Sequence, residues 1–237
     1  MNKIPFGEKK IETPAICVSV IGEDVNQLNK GVQEAIDREA DIAELRIDKL
    51  KNYKGWKSIL SADIPLIITN RTSREGGYFK ESERKRVELL LKSISVGVSC
   101  VDIEFSTSKS LRNKVLQEAK KNETSTICSF HDFKRFPDTD RAIKMAEKMT
   151  QKSDFGKIIG FAKTYQDSLK SIEFLIKSSK SINEPIISFA MGEKGKFTRL
   201  VSPLLNSPIV YASIDKKTAP GQLNLSNAKK MLRKFQK

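Results

Sequence analysis

The sequence predicts an α/β protein, a single (βα)8 TIM barrel with eight parallel strands. Short apolar, β-branched runs recur eight times at fairly regular intervals, and polar segments with helical spacing of apolar residues lie between them. The chain is 237 residues long, near the ~250 residues usual for this fold. Alternation of strand and helix implies a parallel sheet with crossover helices. Eight such units in this length favour a closed barrel over an open doubly wound sheet.

The eight strand candidates are residues 16–20, 42–47, 66–69, 98–105, 126–130, 158–162, 186–190 and 209–212. Their β-branched side chains fit a pleated surface buried on both faces. Helical spacing is found over 25–38, 82–94, 111–121, 138–149, 166–178 and 226–235. After the seventh strand Gly192, Gly195 and Pro203 leave room only for a short helix around 198–205. No Gly/Ser/Pro-rich linker interrupts the series, so residues 1–237 read as one domain, with 1–14 as an N-terminal extension. A hydrophobic content of 38% is enough for one large core.

The opening MNKIPFGEKKIETPAI has no apolar stretch suited to a signal peptide or a membrane span, so a cytoplasmic protein with no membrane partner is expected. Cys17, Cys100 and Cys128 sit inside apolar runs without zinc spacing and read as reduced core residues. No metal and no cofactor is expected. A formal charge of +14 suits either nucleic acid or a small anion. The basic residues are spread along the whole chain, without aromatic interleaving or an RNP-type pattern, so no nucleic-acid partner is expected.

In this fold active sites gather at the C-terminal ends of the strands. Those ends are polar here: Ser19, Glu44 and Arg46, Arg71 with Glu75, Asp102 and Glu104, His131 and Asp132, Lys163, Arg199, and the stretch 216–222. His131 is the chain's one histidine and stands where the fifth run ends, a position suited to proton transfer near neutrality. Lys157 opens the sixth run, and a lysine facing the barrel interior would be stripped of water, the setting in which an amine attacks a carbonyl. The alternative is that Lys157 snorkels out of the floor and that Lys163, nearer the mouth, is functional; spacing alone leans to Lys163. Arg46, Arg71 and Arg199 lie on three βα units, where forked guanidinium donors suit a carboxylate or phosphate. Glu44 and Arg46, two residues apart, share a side of their strand and can pair with each other or with substrate hydroxyls. Glu75 or Glu104 can orient the histidine, and Glu104 can instead compensate a buried lysine. The loop Gly192-Glu-Lys-Gly-Lys196 lacks P-loop spacing. Thr218-Ala-Pro-Gly-Gln222 reads as a turn beside the mouth.

Eight stretches in order carry a more specific signal: Cys-Val-Ser19-Val, Ala-Glu44-Leu-Arg46-Ile-Asp48, Arg71-Thr-Ser-Arg-Glu75-Gly-Gly, Val-Asp102-Ile-Glu104, Ser-Phe-His131-Asp-Phe, Lys157-Ile-Ile, Met191-Gly-x-x-Gly-x-x-x-Arg199 and Thr218-Ala-Pro-Gly-Gln222. Together, from about Ile16 to the C-terminus, they resemble the type I 3-dehydroquinate dehydratases. The resemblance implies the third step of chorismate and aromatic amino acid biosynthesis, the conversion of 3-dehydroquinate to 3-dehydroshikimate, and a homodimer. It gives the Schiff base to Lys157 rather than Lys163, general acid and base work to His131, and the holding of that imidazole to Glu75. Arg199 would clamp the substrate carboxylate, and Ser19, Glu44, Arg46, Arg71, Thr218 and Gln222 would bind its hydroxyls and carboxylate. Two departures stand out: Thr218 where many members carry serine, and Gly-Phe-Ala-Lys163 where several have Met-Pro. The competing readings are a Schiff-base aldolase acting on a sugar phosphate, and a noncatalytic basic barrel that binds RNA.

Overall fold

The computed structural model describes residues 2–214 and 221–235. The chain opens with an antiparallel hairpin, β1 (Asn2–Phe6) and β2 (Lys9–Thr13), and then alternates. The order is β3 (Ala15–Ile21), α1 (Val25–Asp37), β4 (Ile42–Arg46), β5 (Leu66–Thr69), α2 (Glu83–Ile94), β6 (Cys100–Glu104), α3 (Lys109–Lys121), β7 (Ser125–Asp132) and α4 (Thr139–Thr150). It continues with β8 (Phe155–Phe161), α5 (Tyr165–Ser178), β9 (Ile186–Met191), α6 (Thr198–Val201), β10 (Ile209–Ser213), β11 (Leu223–Asn224) and α7 (Leu225–Phe235). Between β4 and β5 the connection is made by two short 3-10 turns, Ile47–Lys49 and Trp56–Ser61.

All eight strand candidates form, as β3 to β10, and their pairing is parallel. The sheet nevertheless counts nine strands among the described residues, in the order β11, β10, β3, β4, β5, β6, β7, β8, β9, because the two-residue β11 adds to the side of β10. Strand pairing does not join β9 to β10 among the described residues. The sheet curls instead through its side chains. Ile187, Phe189 and Met191 of β9 share one buried cluster with Ile209 and Tyr211 of β10 and Cys17 of β3, and the Phe189 and Tyr211 rings lie 6.2 Å apart.

The two-residue period of a strand explains what faces where. Odd positions of β3 and β8 (Ala15 and Cys17, Phe155 and Ile159) enter the inner cluster, while Ile16, Val18, Val20 and Ile158 pack outward against helices. Leu28, Val32 and Ala35 of α1, and Val87, Leu90 and Ile94 of α2, supply the outer layer at helical spacing. Caps fix the helix starts: the Asp24 carboxylate accepts from Gln27 N at 2.9 Å, and Thr164 and Asp167 form a reciprocal capping box on α5.

Residues 1–14, an extension by sequence pattern, have a definite place from residue 2 onward. Phe6 is fully buried and meets the Phe155 ring edge-on at 6.0 Å, and Ile11 joins the same inner cluster. The hairpin thereby covers the end of the inner core opposite the polar strand ends.

Candidate active site

β8 begins at Phe155, three residues before the apolar run that marked it in the sequence, so Lys157 lies within the strand rather than at its threshold. Its neighbours of the same parity, Phe155 and Ile159, both face the inner cluster, and Lys157 faces the same way with 3% exposure. β7 likewise runs on through His131 and Asp132, since its ladder with β8 continues to His131 opposite Ile159 and Asp132 opposite Gly160. Lys163 lies outside this interior. It is exposed beside the start of α5, its backbone N–H donating to Asp167 at 3.1 Å.

The Lys157 amine meets three oxygens: Tyr211 Oη at 3.0 Å, Asp102 Oδ2 at 3.2 Å and Glu44 Oε1 at 3.7 Å. It also stands 4.1 Å from the centre of the Tyr211 ring. The lysine thus enters the interior with two carboxylates beside it, which is what allows a cation to be buried at all. Asp102 in turn accepts from Arg71 Nη2 at 2.9 Å and from Ser129 Oγ at 2.5 Å. Burial pushes the Asp102 carboxyl up, but Arg71 and Lys157 outweigh it and hold the group below its ordinary range.

Glu75 sits on a 3-10 turn after β5, 5% exposed. Its Oε2 accepts from the His131 backbone N–H at 2.9 Å and lies 3.2 Å from Nδ1, while Oε1 accepts from Ser106 Oγ at 2.6 Å. Burial raises the Glu75 carboxyl to about 7 despite Arg71 nearby. Burial, then the positive charges of Arg71, Lys157 and Arg46, keep the His131 imidazole well below its usual value. At neutral pH the ring is therefore uncharged, with Nδ1 toward Glu75 and Nε2 turned to the other side, the form required of a base. Glu104 takes neither role expected of it. It accepts from Thr72 N at 3.0 Å and pairs with Arg86 and, at 3.3 Å, with Arg71, while Glu75 is the carboxyl in contact with the histidine and Asp102 and Glu44 are those beside the lysine.

Ser19, Glu44, Arg46, Arg71, Glu75, His131, Lys157, Arg199 and Gln222 all line one cavity of about 90 Å³, together with Phe133, Ile159, Phe189, Met191 and Tyr211. Glu44 is held by Ser19 Oγ at 2.7 Å and Thr69 Oγ1 at 2.9 Å. Arg46 does not pair with Glu44; it forms a two-pronged contact with Asp48, both bonds 2.8 Å. Arg71 already donates to Ser129 at 2.7 Å as well as to Asp102, and its guanidinium is pushed upward because the surrounding carboxylates outweigh burial. Arg199, 2% exposed, stacks 3.9 Å from the Phe189 ring centre, and burial lowers its guanidinium to about 9, still charged at neutral pH. Gln222 donates to the Ala212 carbonyl at 2.8 Å. Thr218 lies outside the described residues. A larger groove, about 770 Å³, runs along the opposite ends of the strands, but Glu184 is its one titratable lining residue, so the chemistry converges elsewhere.

Sequence reasoning gave no role to Tyr211, Ser106 or Ser129, and named Asp48 only as part of a matching stretch. Inward parity on β10 was a readable signal for Tyr211, whereas hydrogen bonds across loops, such as Ser106 to Glu75, leave no trace in spacing.

Among the described residues, no helix is long and apolar enough to cross a membrane. A family model described as type I 3-dehydroquinase matches residues 16–237. A 3-dehydroquinate dehydratase from Methanococcus maripaludis is 34% identical over 218 residues, covering 92% of this chain and 98% of that protein. Another from Methanothermobacter thermautotrophicus is 34% identical over 221 residues, covering 92% and 95%. Among solved structures, a type I 3-dehydroquinate dehydratase from Clostridium difficile, with covalently modified comenic acid, aligns with a TM-score of 0.92 at 27% identity, covering 99% of this chain and 98% of that one.

Proposed function

The chain belongs to the type I 3-dehydroquinase family, and from that premise we propose that it removes water from 3-dehydroquinate through a Schiff base on Lys157, giving 3-dehydroshikimate. This is the third step of chorismate and aromatic amino acid biosynthesis. The observation that carries the mechanism is a buried amine lining the same cavity as an uncharged imidazole held by Glu75.

Lys157 Nζ adds to the ketone of the substrate and the carbonyl oxygen leaves as water, forming an iminium. The iminium draws electrons, so the C–H bond at the adjacent carbon, C2, can release its proton to His131. The electron pair moves into the enamine and then expels the C1 hydroxyl, which leaves as water on receiving that proton back from His131. Hydrolysis of the product iminium frees Lys157. Glu75 holds the imidazole throughout. Arg199 clamps the substrate carboxylate, in keeping with its forked donors and its fixed stack on Phe189. Ser19, Glu44, Arg46, Arg71, Thr218 and Gln222 bind the hydroxyls and the carboxylate. Arg71, committed to Asp102 and Ser129, contributes its charge more than free donors. No cofactor enters this sequence.

We read the curled sheet as a (βα)8 barrel closed between β9 and β10, supported by their shared inner cluster, and the whole chain as one catalytic domain. Its place is the cytoplasm, its partner is a small molecule rather than nucleic acid, and its assembly is a homodimer. Exposed Tyr165, Leu169 and Ile176 along α5 favour self-association; a purely monomeric species in sedimentation overturns that part.

Borohydride reduction in the presence of 3-dehydroquinate tests the mechanism. The reduced substrate mass is expected on Lys157 alone. An adduct on Lys163, or none with an active enzyme, overturns it.

A further inference from the structure

Tyr211 faces the interior from β10, 4% exposed, and lines the cavity. Its hydroxyl lies 3.0 Å from Lys157 Nζ, and its ring centre lies 4.1 Å from the same atom. Among the described residues, the Lys157 amine is the one hydrogen-bond partner of Tyr211 Oη. A phenol both donates and accepts. While Oη accepts from Lys157, the hydroxyl keeps its own hydrogen, and no acceptor for it is found among the described residues. The other groups close to Nζ are the carboxylates Asp102 and Glu44, and Asp102 is held ionised by Arg71, Lys157 and Ser129. Among the described residues that meet the amine, Tyr211 is therefore the one whose hydroxyl carries a proton to give.

We propose that Tyr211 is a catalytic residue for making and breaking the covalent bond: its hydroxyl protonates the oxygen that leaves when Lys157 becomes an iminium. This rests on the covalent role of Lys157. In the carbinolamine, the tetrahedral adduct that precedes the iminium, the former carbonyl oxygen lies roughly 2.4 Å from Nζ by ordinary bond lengths. A hydroxyl 3.0 Å from Nζ is within hydrogen-bond reach of that oxygen. The ammonium first gives one proton to solvent and the neutral amine adds to the ketone. The C–O bond then breaks, the nitrogen lone pair forms the C=N bond, and the oxygen takes the Tyr211 proton and departs as water, the lysine regaining its proton from solvent when the amine is released. The phenolate left behind lies beside the positive iminium nitrogen. In the return step a water adds to the iminium carbon and gives its proton to the phenolate. The phenol is restored, and no outside acid is consumed. Burial, with Glu44 beside it, pushes the phenol well above its usual value, so it begins protonated.

Tyr211→Phe tests this while keeping the ring. Enzyme and 3-dehydroquinate are mixed, samples are reduced with borohydride at intervals, and intact mass reports the fraction carrying the adduct; dilution into substrate-free buffer gives the decay. Loss of an acid/base group slows formation and decay by a common factor, expected here on the order of 100-fold, and leaves the plateau fraction unchanged. Rates within about twofold of the native chain overturn the proposal. So does a collapsed plateau at unchanged rates, which is the signature of a packing role. If the native chain forms no adduct on Lys157, the covalent mechanism itself fails, an outcome distinct from either. Should the variant not fold, as circular dichroism would report, the native chain decides alone: imine formation should slow in heavy water, and an unchanged rate overturns the assignment.

Discussion

Burial holds Glu75 and His131 in protonation states that neither would adopt in water. The Glu75 carboxyl stands at about 7 against an ordinary 4.5, so the folded chain keeps a proton there that the unfolded chain has shed. The stability this contributes is complete below pH 4.5 and is lost as pH rises to about 7. His131 works in the opposite sense. Its imidazole is held well below 6.5, so its contribution is present above 6.5 and is lost as pH falls, when the unfolded chain alone takes up the proton. The two effects oppose each other across the mildly acidic range. Glu75→Gln leaves the histidine effect by itself, and urea unfolding of that variant should show stability rising between about pH 5 and about pH 7. A flat or falling profile contradicts the assignment. At this scale the sequence was legible in part. His131 and Glu75 stood at predicted strand ends, but choosing Lys157 over Lys163 needed a family resemblance, because the parity of a strand cannot be read when its first residue is misplaced by three.

The elements position these side chains through backbone as much as through side-chain contacts. The loop from β5 to α2 carries Glu75 and turns back so tightly that a Cβ on Gly77 would lie 2.0 Å from the Arg71 carbonyl oxygen. Gly76 beside it adopts φ +77, in the left-handed region that favours glycine. Gly77→Ala should displace Glu75 and release the imidazole while leaving Lys157 on its strand. The expected result is a fall in turnover of about 10-fold or more with the borohydride adduct on Lys157 retained. Full turnover shows that the loop tolerates the shift. The glycine pair was visible in the sequence as punctuation, but the carbonyl it must avoid was not.

At the scale of the molecule, the polar ends of the strands and the hairpin at the far end divide chemistry from stability. Phe6 and Ile11 bury in the inner core, and neither lines the cavity that holds Lys157 and His131. Phe6→Ala should cost about 3–5 kcal/mol in urea unfolding, the range for a large aromatic truncated in a core. Turnover at low temperature should remain near the native value; a loss beyond about tenfold with little destabilisation means that the hairpin reaches the site. The hairpin was not legible as structure, since residues 1–14 are mostly polar and their few apolar side chains match no neighbouring repeat.

The sequence by itself determined the run of alternating strands and helices, because apolar periodicity is a local property that each segment carries independently of its neighbours. It also determined which chemical groups stand near the strand ends, His131, Glu75 and the arginines among them. Only the tertiary structure decided how they pair: Arg46 with Asp48, Glu104 with Arg86, and Asp102 and Tyr211 with Lys157. Those partners are brought together when the sheet curls. Which buried charge meets which depends on register and strand parity across several strands at once, and no single stretch of sequence records that.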